Sequence, residues 1–168
     1  MLRPVLTALL LAATAVPLAA QPARNVNPQI DFAGFRRLAT EVEPYRQTRL
    51  VNWVEFDRLR GQRDVLILDA RSEAAFRRGH IRGAVNLPFT DFTAESLARV
   101  IGRNPDRQIL IYCNNNFSNN RAPVPMKSVQ LALNIQTFIN LVGYGYANVW
   151  ELGDVVDFDN PAVGWVKG

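Results

Sequence analysis

The stretch Ile109-Leu110-Ile111-Tyr112-Cys113-Asn114-Asn115-Asn116-Phe117 decides how this chain folds. Four consecutive apolar residues suit a strand buried on both faces of a parallel sheet, and they run directly into the only cysteine of the 168 residues. Cys113 therefore stands where a strand ends, the edge of an α/β sheet at which loops converge and reactive groups collect. A cysteine serving only as small apolar filler has no need of that position.

Outward from this strand, apolar runs and helical spacings alternate. Val65 to Asp69 reads as a second central strand with a polar end, Asp69-Ala70-Arg71. Ser72 caps a short helix, Glu73 to Arg78, whose first turn carries the acid that suits a helix dipole. The two-glycine turn Gly79-His80-Ile81-Arg82-Gly83-Ala84 leads into an edge segment, Val85-Asn86-Leu87, that Pro88 ends. Upstream, Leu50 and Val51 form a short strand, and a helical turn from Val54 to Leu59 stops at Gly61. Before them, Asp31 caps a helix marked by Phe32, Phe35 and Leu38 and closed by Pro44. Downstream, Thr93 starts a helix that turns Leu97, Val100 and Ile101 inward and stops at Gly102. Leu131, Ile135, Phe138 and Val142 mark another helix, broken by Gly143 and Gly145. Asn148 to Leu152 is a last strand, and Gly153 onward reads as a tail. Such alternation predicts an α/β fold, a parallel sheet with helices over both faces.

Composition narrows the setting. Residues 1–20 carry one charge, Arg3, then an apolar run and Leu18-Ala19-Ala20, which ends in small residues, the layout of a secretory signal peptide. The run is too short to span a bilayer comfortably, so no membrane span is expected after its removal. Residues 21–30 read as an extended leader and 31–168 as a single domain in a periplasmic or secreted protein. Losing Arg3 lowers the formal charge from +4 to +3, with the arginines scattered among acids, so no nucleic-acid or membrane face is expected. A lone thiol makes no internal disulfide, and in an oxidising compartment it is buried or used. One cysteine and one histidine form no metal-ligand set, and no cofactor is expected.

Three blocks together resemble rhodanese-like domains. They are Leu66 to Arg71 with Glu73 and then Gly79 to Pro88, the strand Ile109 to Cys113, and Gly145 to Gly153, in family order across about residues 50–156. The resemblance implies a central, mostly parallel five-stranded sheet with helices on both faces, preceded by a helical extension over 31–49. It also implies a sulfurtransferase whose cysteine thiolate, here Cys113, takes sulfane sulfur from a small donor such as thiosulfate or a persulfide. That sulfur then passes to a thiol acceptor. Thiolate is the reacting form, and loop amides backed by a helix N-terminus stabilise it.

The chain departs from the family in the loop after the cysteine. Family members have a loop of about six residues there, usually with a glycine and an arginine. Counting back from Gly145 puts an insertion of roughly fifteen residues here, against the usual short strand-to-helix connection. It contains no glycine, and Asn114, Asn115 and Asn116 are the next-best residues for left-handed backbone that turns amides toward sulfur. Arg121 and Lys127 are the only cations between Cys113 and Trp150, and either is a candidate to lower the thiol pKa or hold an anionic donor. Asp69 and Arg71 are candidates to brace the neighbouring strand end against the loop, and His80 to brace its turn. Trp53, Trp150 and Trp165 are assigned to packing.

The competing reading is a catalytically silent binding or regulatory module of the cell envelope, with residues 114–128 as a docking or lid segment for a protein partner. A cysteine phosphatase would need arginine where Asn119 stands, and Arg121 comes two residues too late.

Overall fold

The computed structural model describes residues 27–168. The signal peptide expected at 1–20 and residues 21–26 of the expected leader lie outside the described residues. Residues 27–30 are not extended but form a turn, because the Asn27 side chain accepts the Gln29 N–H at 2.9 Å and its carbonyl accepts Ile30 N–H at 3.1 Å. Phe32–Gly168 forms one compact unit.

In chain order that unit is α1 (Phe32–Gln47), β1 (Leu50–Val51), α2 (Trp53–Arg60), β2 (Leu66–Asp69), α3 (Glu73–Arg78), β3 (His80–Ile81), β4 (Ala84–Asn86), α4 (Ala94–Val100), β5 (Ile109–Tyr112), α5 (Leu133–Gly143), β6 (Val149–Leu152) and β7 (Trp165–Val166). Five strands form one sheet in the order β1-β6-β5-β2-β4, every pair parallel. This is the expected sheet, with β5 at its centre. No helix among the described residues is long and apolar enough to cross a membrane.

Alternation along the strands sorts the core into two layers. Leu66, Leu68, Ile109, Ile111 and Val149 pack with Val42, Leu97, Ile101, Phe138 and Leu141 of α1, α4 and α5. Ile67, Leu110, Tyr112 and Leu152 face the other way, onto Phe56 and Leu59 of α2 and onto Phe117, Val124 and Phe158. Cys113 is still extended, at φ −144° and ψ −170°, so the alternation carries its side chain to the α5 side.

Three further local expectations fail. Pro44 does not close α1, which continues to Gln47. The turn beyond Pro44 is fixed from outside, by the Tyr45 hydroxyl on Ala147 O at 2.8 Å and by Arg46 on Glu151. Leu131 is not on α5; it is exposed in a separate 3-10 turn, and the helix begins at Leu133. Residues after Gly153 are not a free tail. Val156 pairs with Phe117, and β7 pairs antiparallel with β3. Trp165 packs at 5.0 Å from the rings of both Phe117 and Phe158. A Cβ on Gly79 would land on the Trp165 indole, which is why that position carries no side chain.

The end of β2 is held by a buried ion pair. Arg71 donates from Nε to Asp69 Oδ1 at 2.9 Å and from Nη2 to Oδ2 at 2.5 Å, with the two side chains 2 % and 0 % exposed. Tyr112 donates its hydroxyl to the same Asp69 at 2.5 Å and accepts Ile81 N–H at 3.1 Å. Burial first, and then Asp69, hold the Tyr112 hydroxyl well above its usual pKa, so it stays a donor. Burial is the largest single influence on Arg71 and works against its charge, but the bond to Asp69, the charge of Asp69 and Tyr112 together outweigh it and its pKa is raised. Arg71 also reaches Gly79 O at 2.8 Å and Pro123 O at 3.4 Å, tying the strand end to the α3 turn and to the segment after β5. Replacing Arg71→Met strands a buried carboxylate. We expect a loss of about 3–5 kcal/mol of stability, read as a lower urea midpoint, with much of it recovered in Asp69→Asn/Arg71→Met.

Candidate active site

The backbone around Cys113 is shaped by its own next three residues. Asn114 to Asn116 form a 3-10 turn in which the Cys113 N–H donates to Asn116 Oδ1 at 2.9 Å and the Asn115 N–H donates to Cys113 Sγ at 3.4 Å. This is a capping box with sulfur as the capping atom. The expected left-handed asparagines are not what does it. Among the described residues the only non-glycine with positive φ is Asn120, at 39°. A right-handed turn already aims an amide at the sulfur of its capping residue, so no left-handed residue is required.

The second half of the sulfur's surroundings comes from α5. Leu133 and Asn134 open that helix, and their backbone N–H groups, with that of Asn115, favour negative charge on Sγ. Opposing them, Cys113 is 1 % exposed, and burial is the largest influence on its thiol. Burial wins, and with a further push from Glu151 it raises the thiol above its usual value of 9.0. The sulfur is therefore cradled for an anion yet protonated.

The asparagine side chains do different work from their amides. Asn114 Nδ2 donates to Pro125 O at 2.9 Å. Asn115 clamps Lys127, donating to its carbonyl at 2.9 Å and accepting its N–H at 3.0 Å. Asn116 Nδ2 donates to Leu152 O at 2.7 Å and Asp154 O at 3.0 Å. All three carboxamides stitch the connector 114–132 in place, and of the three residues only Asn115 directs an amide at sulfur.

The remaining expected residues divide. Lys127 lines a cleft of about 350 Å³ with Arg71, Phe89, Asn114, Pro125 and Leu133; Cys113 is not part of its wall. Arg121 points elsewhere, paired with Asp159 at 2.5 Å and set over the Phe158 ring at 4.7 Å. His80 stacks on Phe76 at 3.8 Å and bonds Phe76 O through Nδ1 at 3.0 Å, bracing its turn. Asp69 and Arg71 brace the strand end as described.

Two residues near the sulfur were missed from sequence. Glu151 is buried on β6 beside Ile111, and Asn134 Nδ2 joins its Oε1, at 3.1 Å, to Asn116 Oδ1, at 2.9 Å. An acid inside the apolar run Val149-Trp150-Glu151-Leu152 was the available signal, since a buried carboxylate demands partners. No group of three or more His, Cys, Asp or Glu that could hold a metal occurs among the described residues.

The family model described as Rhodanese-like domain matches residues 52–154. No curated protein matches the chain. Among solved structures, the Alr3790 protein from Anabaena sp. is 22 % identical over 61 % of this chain and 68 % of its own, with a TM-score of 0.45. The BH2092 protein from Bacillus halodurans is 17 % identical over 70 % and 74 %, at 0.42. An EanB variant, solved as a cysteine persulfide with ergothioneine, is 23 % identical over 61 % of this chain and 24 % of its own, at 0.45.

The raised thiol sets a sign for stability. The folded chain holds the proton longer than the unfolded one, so the contribution of the neutral thiol is complete below its ordinary pKa and lost as pH rises through the folded value. The stability advantage of wild type over Cys113→Ala should therefore shrink as urea titrations move upward from about pH 8. A difference independent of pH would contradict the raised thiol.

Proposed function

The chain belongs to the rhodanese-like domain family, whose members are generally sulfurtransferases, and we propose on that premise that it carries sulfane sulfur as a persulfide on Cys113. The Asn115 N–H on Sγ at 3.4 Å, with the start of α5 at Leu133 and Asn134 favouring the same charge, is the observation that carries this reading. Amide groups of this kind serve a thiolate and a persulfide anion alike.

With thiosulfate as donor, the Cys113 thiolate attacks the outer sulfur. The S–S bond of the donor breaks, sulfite leaves with the electron pair, and Cys113 holds a persulfide anion. An acceptor thiolate then attacks the outer persulfide sulfur, a new persulfide departs on the acceptor, and the Cys113 thiolate returns. Neither displacement needs a metal or a cofactor. The signal-peptide layout of residues 1–20 supports an exported location and thus a periplasmic or extracellular donor.

The buried sulfur adds a gating step. Opening the Asn115–Lys127 clamp would remove the desolvation that keeps the thiol protonated while leaving the Leu133 and Asn134 amides in place, so access and ionisation would arrive together. In that scheme Lys127 draws the anionic donor into the cleft it lines. Arg121, engaged with Asp159, has no part.

The 1 % exposure of Cys113 favours the second reading, a catalytically silent binding module. Intact mass after incubation with thiosulfate separates the two: one added sulfur, removed by cyanide, is expected. Cys113→Ser should abolish uptake. Asn115→Ala should speed alkylation and sulfur uptake several-fold. Lys127→Ala, which keeps the backbone clamp, should raise the donor KM roughly three- to ten-fold, on the order of the 1 kcal/mol of a partly screened charge contact. If neither wild type nor Asn115→Ala gains sulfur, the module reading replaces this one.

A further inference from the structure

Helix α1 lies outside residues 52–154, the span matched by the family model, yet it reaches the surroundings of the sulfur. Arg46, in its last turn, donates from Nε to Glu151 Oε2 at 2.6 Å and from Nη2 to Oε1 at 2.5 Å, a two-pronged pair with a carboxylate side chain only 5 % exposed. Glu151 stands beside Ile111, two residues before Cys113 on the same face of β5. The same Oε1 accepts Asn134 Nδ2 at 3.1 Å; that amide also donates to Asn116 Oδ1 at 2.9 Å, and Asn116 Oδ1 accepts the Cys113 N–H at 2.9 Å. An unbroken run of polar contacts thus leads from α1 to the backbone of the cysteine.

Two physical consequences follow. First, a carboxylate beside a sulfur anion is unfavourable unless a cation offsets it. Glu151 is the charged group that acts on Cys113, since α5 and β5 carry no charged side chain, and Asp69 and Arg71 neutralise each other on the opposite face. Lys127 lies out on the cleft, and Asp154 accepts Trp53 N–H at 2.7 Å at the start of α2. Second, the Asn134 carboxamide oxygen is buried with no partner, so its donor bonds alone orient this side chain. Flipping it would set that oxygen against Glu151 and Asn116 Oδ1, both acceptors.

We propose that Arg46 is a positioning residue for the sulfur anion of Cys113: its ion pair offsets the Glu151 charge beside the sulfur and fixes Asn134, whose backbone N–H faces that sulfur. The inference rests on the reading of Cys113 as an anionic sulfur carrier, and its test needs no turnover.

The experiment is an ultraviolet thiolate titration of the folded protein, comparing wild type with Arg46→Met, Arg46→Lys, Glu151→Gln and Arg46→Met/Glu151→Gln, with the Cys113→Ser trace subtracted. Arg46→Met should raise the midpoint by about one pH unit, the size of shift a neighbouring charge produces, and Arg46→Lys should restore most of it. Glu151→Gln should lower the midpoint, and the double variant should fall below Arg46→Met. An unshifted midpoint in folded Arg46→Met overturns the proposal, as does an unchanged or higher one in Glu151→Gln. Should Arg46→Met not fold, the Glu151→Gln comparison decides alone. Midpoints that move as expected in a protein that takes up no sulfur would uphold this inference and remove the persulfide reading.

Discussion

A strand at the centre of a parallel sheet has two faces, and the face on which each residue of β5 falls governs everything built at its end. Odd positions pack under α5, so Cys113 inherits the side from which a helix N-terminus can reach it. Even positions pack toward α2, so Tyr112 meets Asp69 and Arg71 on the reverse. A one-residue slip in β5 would place either a phenol against the α5 amides or a thiol against a buried ion pair, depending on its direction. The register Asp69↔Tyr112 and Ile111↔Glu151 thus fixes the core and the chemistry at once.

The sulfur sits at a balance between two effects of comparable reach. Oriented amides favour charge on it at no cost in reorganisation, while exclusion of water opposes charge more strongly. The connector that follows the cysteine is held by carboxamide-to-backbone bonds, each worth about 1 kcal/mol. The pair on the far face is built differently, with Asp69 and Arg71 locked by several charge-assisted bonds.

Much of the fold was legible in sequence because it depends on neighbours within a few residues. Apolar runs named β2, β5 and β6, Ser72 and Thr93 named helix starts, and the run into Cys113 placed that cysteine at a strand end. What was missed depends on residues far apart. Arg46 and Glu151 are separated by 105 positions, and nothing local to either announces the other. Pro44 lies inside a helix because contacts to β6 and the turn before it hold the residues that follow. The asparagine run reads as turn-forming, which it is, but the jobs of its side chains are set by Pro125, Lys127 and Leu152.

The connector and the C-terminal segment are in effect one structure made from two pieces of chain. Phe117 pairs with Val156, the Asn119 carboxamide accepts Phe158 N–H at 3.0 Å, Arg121 grips Asp159, and Trp165 stacks on Phe158 and meets Phe117 edge-on. Neither piece has an interior of its own. Mutational drift in one is consequently constrained by the other, and a change in bulk at Phe117 has to be answered at Phe158 or Trp165.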